Sequence, residues 1–199
     1  MSERTTIIYV RHGQTDWNKN LILQGRIDTE LNATGKKQAK DIAKEVAKYK
    51  ADVVFSSPLK RAYDTAKIIN PKGKIITDER LMEICHGTFE DCPYPLNYYD
   101  IYNIKTPDRY GMGENIYDVK NRVWPLLQEI VEEYAGKTIL IVGHAGTGRL
   151  ITAFFWGVPS SGTYNDYAMA NCEIREFHHE FKAECANQRT TQNTLAMGG

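Results

Sequence analysis

Nothing in this chain of 199 residues tips its charge: 25 basic side chains stand against 25 acidic ones, a net of zero. That balance removes the electrostatic case for a nucleic-acid or anionic-membrane partner, so any anion must be held by a local cluster. Long apolar runs are missing too. None approaches the roughly 20 residues that span a bilayer, and Met1-Ser2-Glu3-Arg4 does not begin a signal peptide. Cysteine is scarce, and Cys85, Cys92, Cys172 and Cys185 form no CxxC pair, which suits the reduced thiols of a cytoplasmic protein. A zinc site from Cys85, His86 and Cys92 would need a second ligand pair that the sequence lacks. Internal repeats and linkers are also absent.

What is present reads as one soluble domain over residues 1–182, followed by a polar tail, 183–199, that looks disordered or non-native and ends in Gly198-Gly199. The opening run Thr5–Val10 is a short buried strand that stops on Arg11-His12-Gly13. Arg11 brings a planar cation that fits phosphate, and His12 a nitrogen nucleophile or base. Gly13 would let the backbone approach a ligand closely. A helix follows, with Thr34 as its expected N-cap and Ala39, Ile42, Ala43, Val46 and Ala47 on its buried face; Lys36, Lys37, Lys40, Lys44 and Lys48 mostly face water. Asp52–Phe55 reads as a second strand and Lys74–Asp78 as a third. Between them, Ser57 as N-cap with Pro58 at the first helical position predicts a helix carrying Leu59, Ala62, Tyr63, Ala66 and Ile69 inward. Arg61 in its first turn opposes the helix dipole, which is easier to understand if a bound anion compensates.

From Cys85 to Tyr110 no period holds, and tyrosine and proline abound, the pattern of a functional loop or lid over about 85–112. Asn115–Tyr134 predicts a helix that Pro125 should kink or break. Thr138–Val142 is the clearest strand; it ends at Gly143-His144, with a helix from Thr147 onward. Ala168–Phe181 predicts a last strand, at an edge. Strands alternating with helices argue for a single three-layer α/β/α domain with a mostly parallel central sheet.

Such sheets bind ligands beyond the carboxyl ends of their strands. Arg11 and His12, Arg61, and His144 each follow a different strand to that edge, a pocket suited to a dianion such as phosphate. Glu83, after the third strand, could supply an acid.

Arg11-His12-Gly13, Asn18, Gln24-Gly25, Ser57-Pro58-Leu59-Lys60-Arg61-Ala62, Thr65-Ala66, Glu83 and Gly143-His144 resemble, in order and separation, the histidine phosphatase superfamily. The likeness runs from about residue 5 to 178 and is to the phosphoglycerate mutase-like branch. It implies that His12 is phosphorylated in turnover, that Arg11, Arg61 and His144 surround the phosphoryl group, and that Glu83 donates the leaving group's proton. It also implies that Asn18, the Gln24-Gly25 backbone and Ser57 contact phosphate or substrate, with no metal and no cofactor. The partner implied is a small phosphorylated metabolite. Mutases of this branch are longer, with added basic residues and an asparagine after the second histidine. His144-Ala145-Gly146 looks more like the phosphatases. Hydrolysis of a phosphate monoester is the expected activity; mutase-type transfer and a non-catalytic phospho-ligand binder are the alternatives. The oligomeric state stays open.

Overall fold

Alternation in the first strand sets the layers. In β1 (Arg4–Arg11), Ile7 and Tyr9 enter one core while Ile8 and Val10 enter another, all four fully buried. A strand buried on both faces needs helices on both sides. The computed structural model, which describes residues 4–105, 109 and 111–180, supplies them.

On one face lie α2 (Ala33–Val46) and α3 (Lys60–Ile69); their Ala39, Val46, Ala62, Ala66 and Ile69 pack on Ile8, Val10, Val54, Leu140 and Val142. On the other lie α4 (Ile116–Glu133) and α5 (Ala145–Trp156), whose Val119, Val123, Leu127, Leu150 and Ile151 meet Ile7, Tyr9, Phe55, Ile139 and Ile141. The strands β2 (Val53–Ser56), β3 (Ile75–Thr77), β4 (Thr138–Gly143) and β5 (Ile174–Glu180) complete a five-stranded sheet in the order β3-β2-β4-β1-β5. All neighbours are parallel except β5, which runs antiparallel to β1 at the edge.

Register does the rest. Arg11 pairs with Gly143 and Ser56 with Val142, so the ends of β1, β2 and β4 come level. Three strand ends meet at one place.

Several local expectations shift, each for a physical reason. The N-cap of α2 is Asn32, not Thr34: the Asn32 carboxamide oxygen accepts the Gly35 N–H at 2.8 Å. Ser57 does not cap α3. Its hydroxyl lies 2.8 Å from His144 Nε2, and the helix begins at Lys60, whose N–H donates instead to Asp28 at 2.7 Å. Pro125 neither breaks nor ends α4, because the apolar stripe on both sides of it is buried in one core and outweighs the missing donor. The third strand contracts to Ile75–Thr77 and the last to Ile174–Glu180. α5 starts directly at Ala145, with His144 as its first flanking residue. A short helix, α1 (Asp16–Lys19), occupies the loop after β1, capped by Thr15. The stretch 85–112 consists of short 3₁₀ turns and loop as far as it is described; Tyr110 and Pro107, and the tail 183–199, lie outside the described residues.

Candidate active site

At the end of β1 the chain turns at Gly13, and the reason for glycine is internal. A β-carbon there would sit 2.5 Å from the Gly35 carbonyl oxygen. The close approach is thus to α2, and a ligand is not what demands it. The turn leaves His12 2% exposed, its Nδ1 donating to the Gly13 carbonyl at 2.7 Å. Nε2 then carries the lone pair and faces the pocket. Burial, with the Arg61 and Arg11 guanidinium groups adding to it, holds the imidazole well below its usual pKa, so His12 is neutral.

Arg61 is fully buried, its fork donating to the Ile27 carbonyl at 2.8 Å and the Gly25 carbonyl at 2.7 Å. Burial lowers its pKa to about 10, which still leaves it cationic at neutral pH. Arg11 donates to the Met169 carbonyl. His144 packs edge-on against His12 with ring centroids 5.2 Å apart. Its carbonyl accepts the Tyr9 hydroxyl at 2.6 Å, and burial first, then Arg61, keeps it neutral as well. Ser57 Oγ accepts from Leu59 N–H at 3.3 Å and lies 2.8 Å from His144 Nε2, which ties the imidazole to the end of β2.

Among the described residues, the buried side-chain nitrogens without a partner are Arg11 Nε, Arg61 Nε, His144 Nδ1 and Arg149 Nε. The first three belong to residues grouped around His12, and the two arginine Nε–H groups among them are donors. A buried unpaired donor costs about 1–3 kcal/mol, more when charged. Orphaned donors beside a bare nucleophilic nitrogen fit a phosphoryl group. Arg149 is separate: its guanidinium stacks 4.2 Å over Tyr102.

Glu83 meets the amino end of α5. Its carboxylate accepts from Ile84, Gly146 and Thr147 N–H, each at 3.0 Å. Burial pushes its pKa up, but the Gly146 and Ile84 donors outweigh that, and the net shift is down. The resting group is a carboxylate. Gly146 allows the contact, since a β-carbon there would fall 2.5 Å from Glu83 Oε1.

The pocket wall is made of Arg11, His12, Asn18, Leu23, Gln24, Gly25, Arg61, Glu83, His86, Tyr94, Tyr98 and Ala145. Seven of the residues expected from sequence are among them. The other two, His144 and Ser57, stand behind: His144 against the His12 ring, and Ser57 reaching the site through His144. Sequence reasoning missed Leu23 and His86. His86 is 3% exposed and meets Tyr98 edge-on; in the sequence it stood out only beside Cys85 and Cys92 and by its place three residues after Glu83. Among the described residues no group of three or more His, Cys, Asp or Glu is arranged to hold a metal ion. Nor is any described helix long and apolar enough to cross a membrane.

Comparison with known proteins agrees with this geometry. The description "Histidine phosphatase superfamily (branch 1)" matches residues 7–189. The chain belongs to the histidine phosphatase superfamily. Membership brings hydrolysis of small organic phosphate monoesters by way of a phosphohistidine. Phosphoserine phosphatase 1 of Hydrogenobacter thermophilus is 33% identical over 183 residues, covering 87% of this chain and 86% of that one. Phosphoglycerate mutase-like protein 4 of Arabidopsis thaliana is 37% identical over 155 residues, 72% of this chain and 67% of its own. Among solved structures, phosphoserine phosphatase from Entamoeba histolytica in complex with 3-phosphoglyceric acid superposes with a TM-score of 0.78. It has 25% identity and covers 89% of this chain and 95% of that one.

Proposed function

We propose that this histidine phosphatase works in two steps on His12. In the first, Nε2 attacks phosphorus in line with the ester oxygen. The P–O bond to the leaving group breaks, and Glu83 in its protonated form gives that oxygen a proton. Glu83 rests ionised, so it must take up a proton as substrate binds; the approaching phosphate dianion raises its affinity for one. In the second step water attacks the phosphohistidine, Glu83 accepts a proton from the water, and inorganic phosphate leaves. Arg11, Arg61 and His144 stabilise the equatorial oxygens in both steps, where positioned charge does most of the work. Asn18 and Gln24 add neutral donors, Gly25 holds Arg61 through its carbonyl, and Ser57 ties the His144 ring to the end of β2.

The observation that carries this reading is the pair of unpartnered buried donors, Arg11 Nε and Arg61 Nε, with the unpartnered Nδ1 of His144, around the bare Nε2 of His12. The clamp consists of side-chain cations, which supports metal-independent activity. Tyr94 and Tyr98, stacked with centroids 4.5 Å apart, form with His86 and Leu23 the side that faces the leaving group. The substrate is a small phosphorylated metabolite, with phosphoserine and 3-phosphoglycerate first in line on the strength of the relatives' names. The unpaired thiols of Cys85, Cys92 and Cys172 support a cytoplasmic setting. Residues 1–182 form the catalytic domain, with about 85–112 as its cap.

A screen of phosphorylated metabolites in excess chelator, scoring free phosphate separately from isomerised product, tests the whole. Free phosphate from at least one ester supports the reading. Activity that appears only with an added divalent ion would overturn the metal-independent part. Isomerised 3-phosphoglycerate without net hydrolysis would favour the mutase reading, which the similarity to a mutase-like relative keeps in play.

A further inference from the structure

Thr15 takes part in no step above, yet it is fully buried and bonded at both its backbone N–H and its hydroxyl beside the pocket. Its backbone N–H donates to Asn18 Oδ1 at 3.2 Å. Its hydroxyl oxygen accepts the Asn18 N–H at 3.1 Å, and the hydroxyl proton goes to Gln24 Oε1 at 2.9 Å. Asn18 Oδ1 also receives Asn171 Nδ2 at 3.3 Å, and the same nitrogen donates to the His12 carbonyl at 2.9 Å. Gln24 Oε1 receives a second proton from Thr29 Oγ1.

These bonds decide which way the Asn18 amide points and hold that of Gln24. A backbone N–H only donates, so the Asn18 atom facing Thr15 is oxygen. At Gln24 the partners are the Thr15 and Thr29 hydroxyls, which both meet Oε1 and hold the amide oxygen as long as they donate. Both residues line the pocket, and with their oxygens committed to these partners the NH₂ groups are what they can offer a ligand.

We infer that Thr15 is the positioning residue that orients the Asn18 and Gln24 amides with their donors toward the phosphoryl group, with Asn171 bracing the arrangement from behind. Without the Thr15 hydroxyl, Gln24 is left with Thr29 alone and can turn its carbonyl oxygen, which repels an anion, toward the pocket, and Asn18 loses the bond that caps α1 and sets its amide beside the ligand. The neutral wall is thereby made donor-only, complementing the cations without adding charge. The inference rests on the phosphate-handling reading of the His12 pocket.

The test uses equilibrium binding of inorganic phosphate to the whole chain, followed by calorimetry, alongside turnover of one phosphate ester. Thr15→Val keeps the shape and removes the hydroxyl, and it should weaken phosphate binding about tenfold and raise KM more than it lowers kcat. Thr15→Ser restores the hydroxyl and should bind within about threefold of the wild type, a rescue that a packing role alone would not produce. Asn171→Ala should weaken binding in the same direction by a smaller factor, and it decides the matter if Thr15→Val does not fold. Phosphate binding by Thr15→Val and Asn171→Ala equal to wild type overturns the inference, even where both melt at lower temperature. Wild-type protein that binds phosphate but hydrolyses no ester overturns the catalytic reading alone. Wild-type turnover with unchanged binding in both variants overturns the positioning role alone.

Discussion

The two sides of the pocket are built from different material. The phosphoryl side sits on the ends of β1, β2 and β4 and on the first turns of α3 and α5, with Arg61 fully buried and Arg11, Arg61 and Glu83 each tied to backbone. The cap side comes from short turns and loop, and its lining is Leu23, His86, Tyr94 and Tyr98. Burial lowers the pKa of His86, so this side is neutral as well as aromatic. Rigid strand ends can hold charges to the tolerance that phosphoryl transfer needs. A loop can change its side chains without disturbing them. One side is chemistry and the other is choice.

Substitutions should separate the two. The largest effect belongs to His12→Ala, which should cost at least about a thousandfold in rate, on the order of 4 kcal/mol of barrier. His144→Ala should also be severe, yet it keeps the attacking nitrogen. Rapid quench with labelled ester, then peptide mapping in alkali, should find a trace of label on His12 in that variant. Label on His144 in the wild type would reverse the assignment.

Next comes Glu83→Gln, where loss of proton transfer should lower kcat by about 10²–10⁴-fold for an ester with a poorly leaving alcohol. A nitrophenyl ester, whose leaving group needs little help, should suffer much less. Equal losses on both substrates would mean that Glu83 only braces α5. Gly146→Ala pushes on the same carboxylate and should reproduce the pattern in milder form, about tenfold.

On the cap side, His86→Ala and Tyr94→Ala should shift relative kcat/KM among esters by a few fold to tenfold while leaving a small aryl phosphate nearly untouched. A uniform fall across all substrates would show that the segment supports the fold.

The smallest effect is on stability. His12 and His144 both fold with depressed pKa values, so the stability they allow is present above the unfolded value of about 6.5 and is lost as pH falls below it. Each proton taken up on unfolding contributes a slope of about 1.4 kcal/mol per pH unit. Denaturant titrations between pH 7 and 5 should show a shallower fall for His144→Asn than for the wild type. Parallel curves would mean that this histidine takes up no extra proton on unfolding and that its folded pKa is not depressed.

Much of the phosphoryl side was legible in the chain because it depends on short-range pattern. An apolar run that ends on Arg11-His12, another on Gly143-His144, and Arg61 just inside a helix all place charge at a known edge of a parallel sheet. The cap was legible only as irregularity. Tyr99 is half exposed and Tyr102 lies in the core under Arg149, while Tyr94 and Tyr98 of the same tyrosine-rich stretch line the pocket. Composition cannot tell a tyrosine that shapes a site from one that fills a core. Ser57 misled for a related reason: a good N-cap sequence was overruled by a histidine far along the chain.

By itself, then, the sequence determined the layer order, through strands apolar on both faces, and the identities of the charges delivered to one edge. Tertiary structure alone decided what those charges do. Gly13 is required by Gly35 rather than by a ligand, Glu83 is ionised by helix N–H groups that follow it by more than sixty residues, and the Asn18 and Gln24 amides are turned by Thr15, Thr29 and Asn171. Protonation state and amide orientation are set by the few groups within hydrogen-bond reach. Which groups those are depends on how distant segments pack, and no local pattern carries that information.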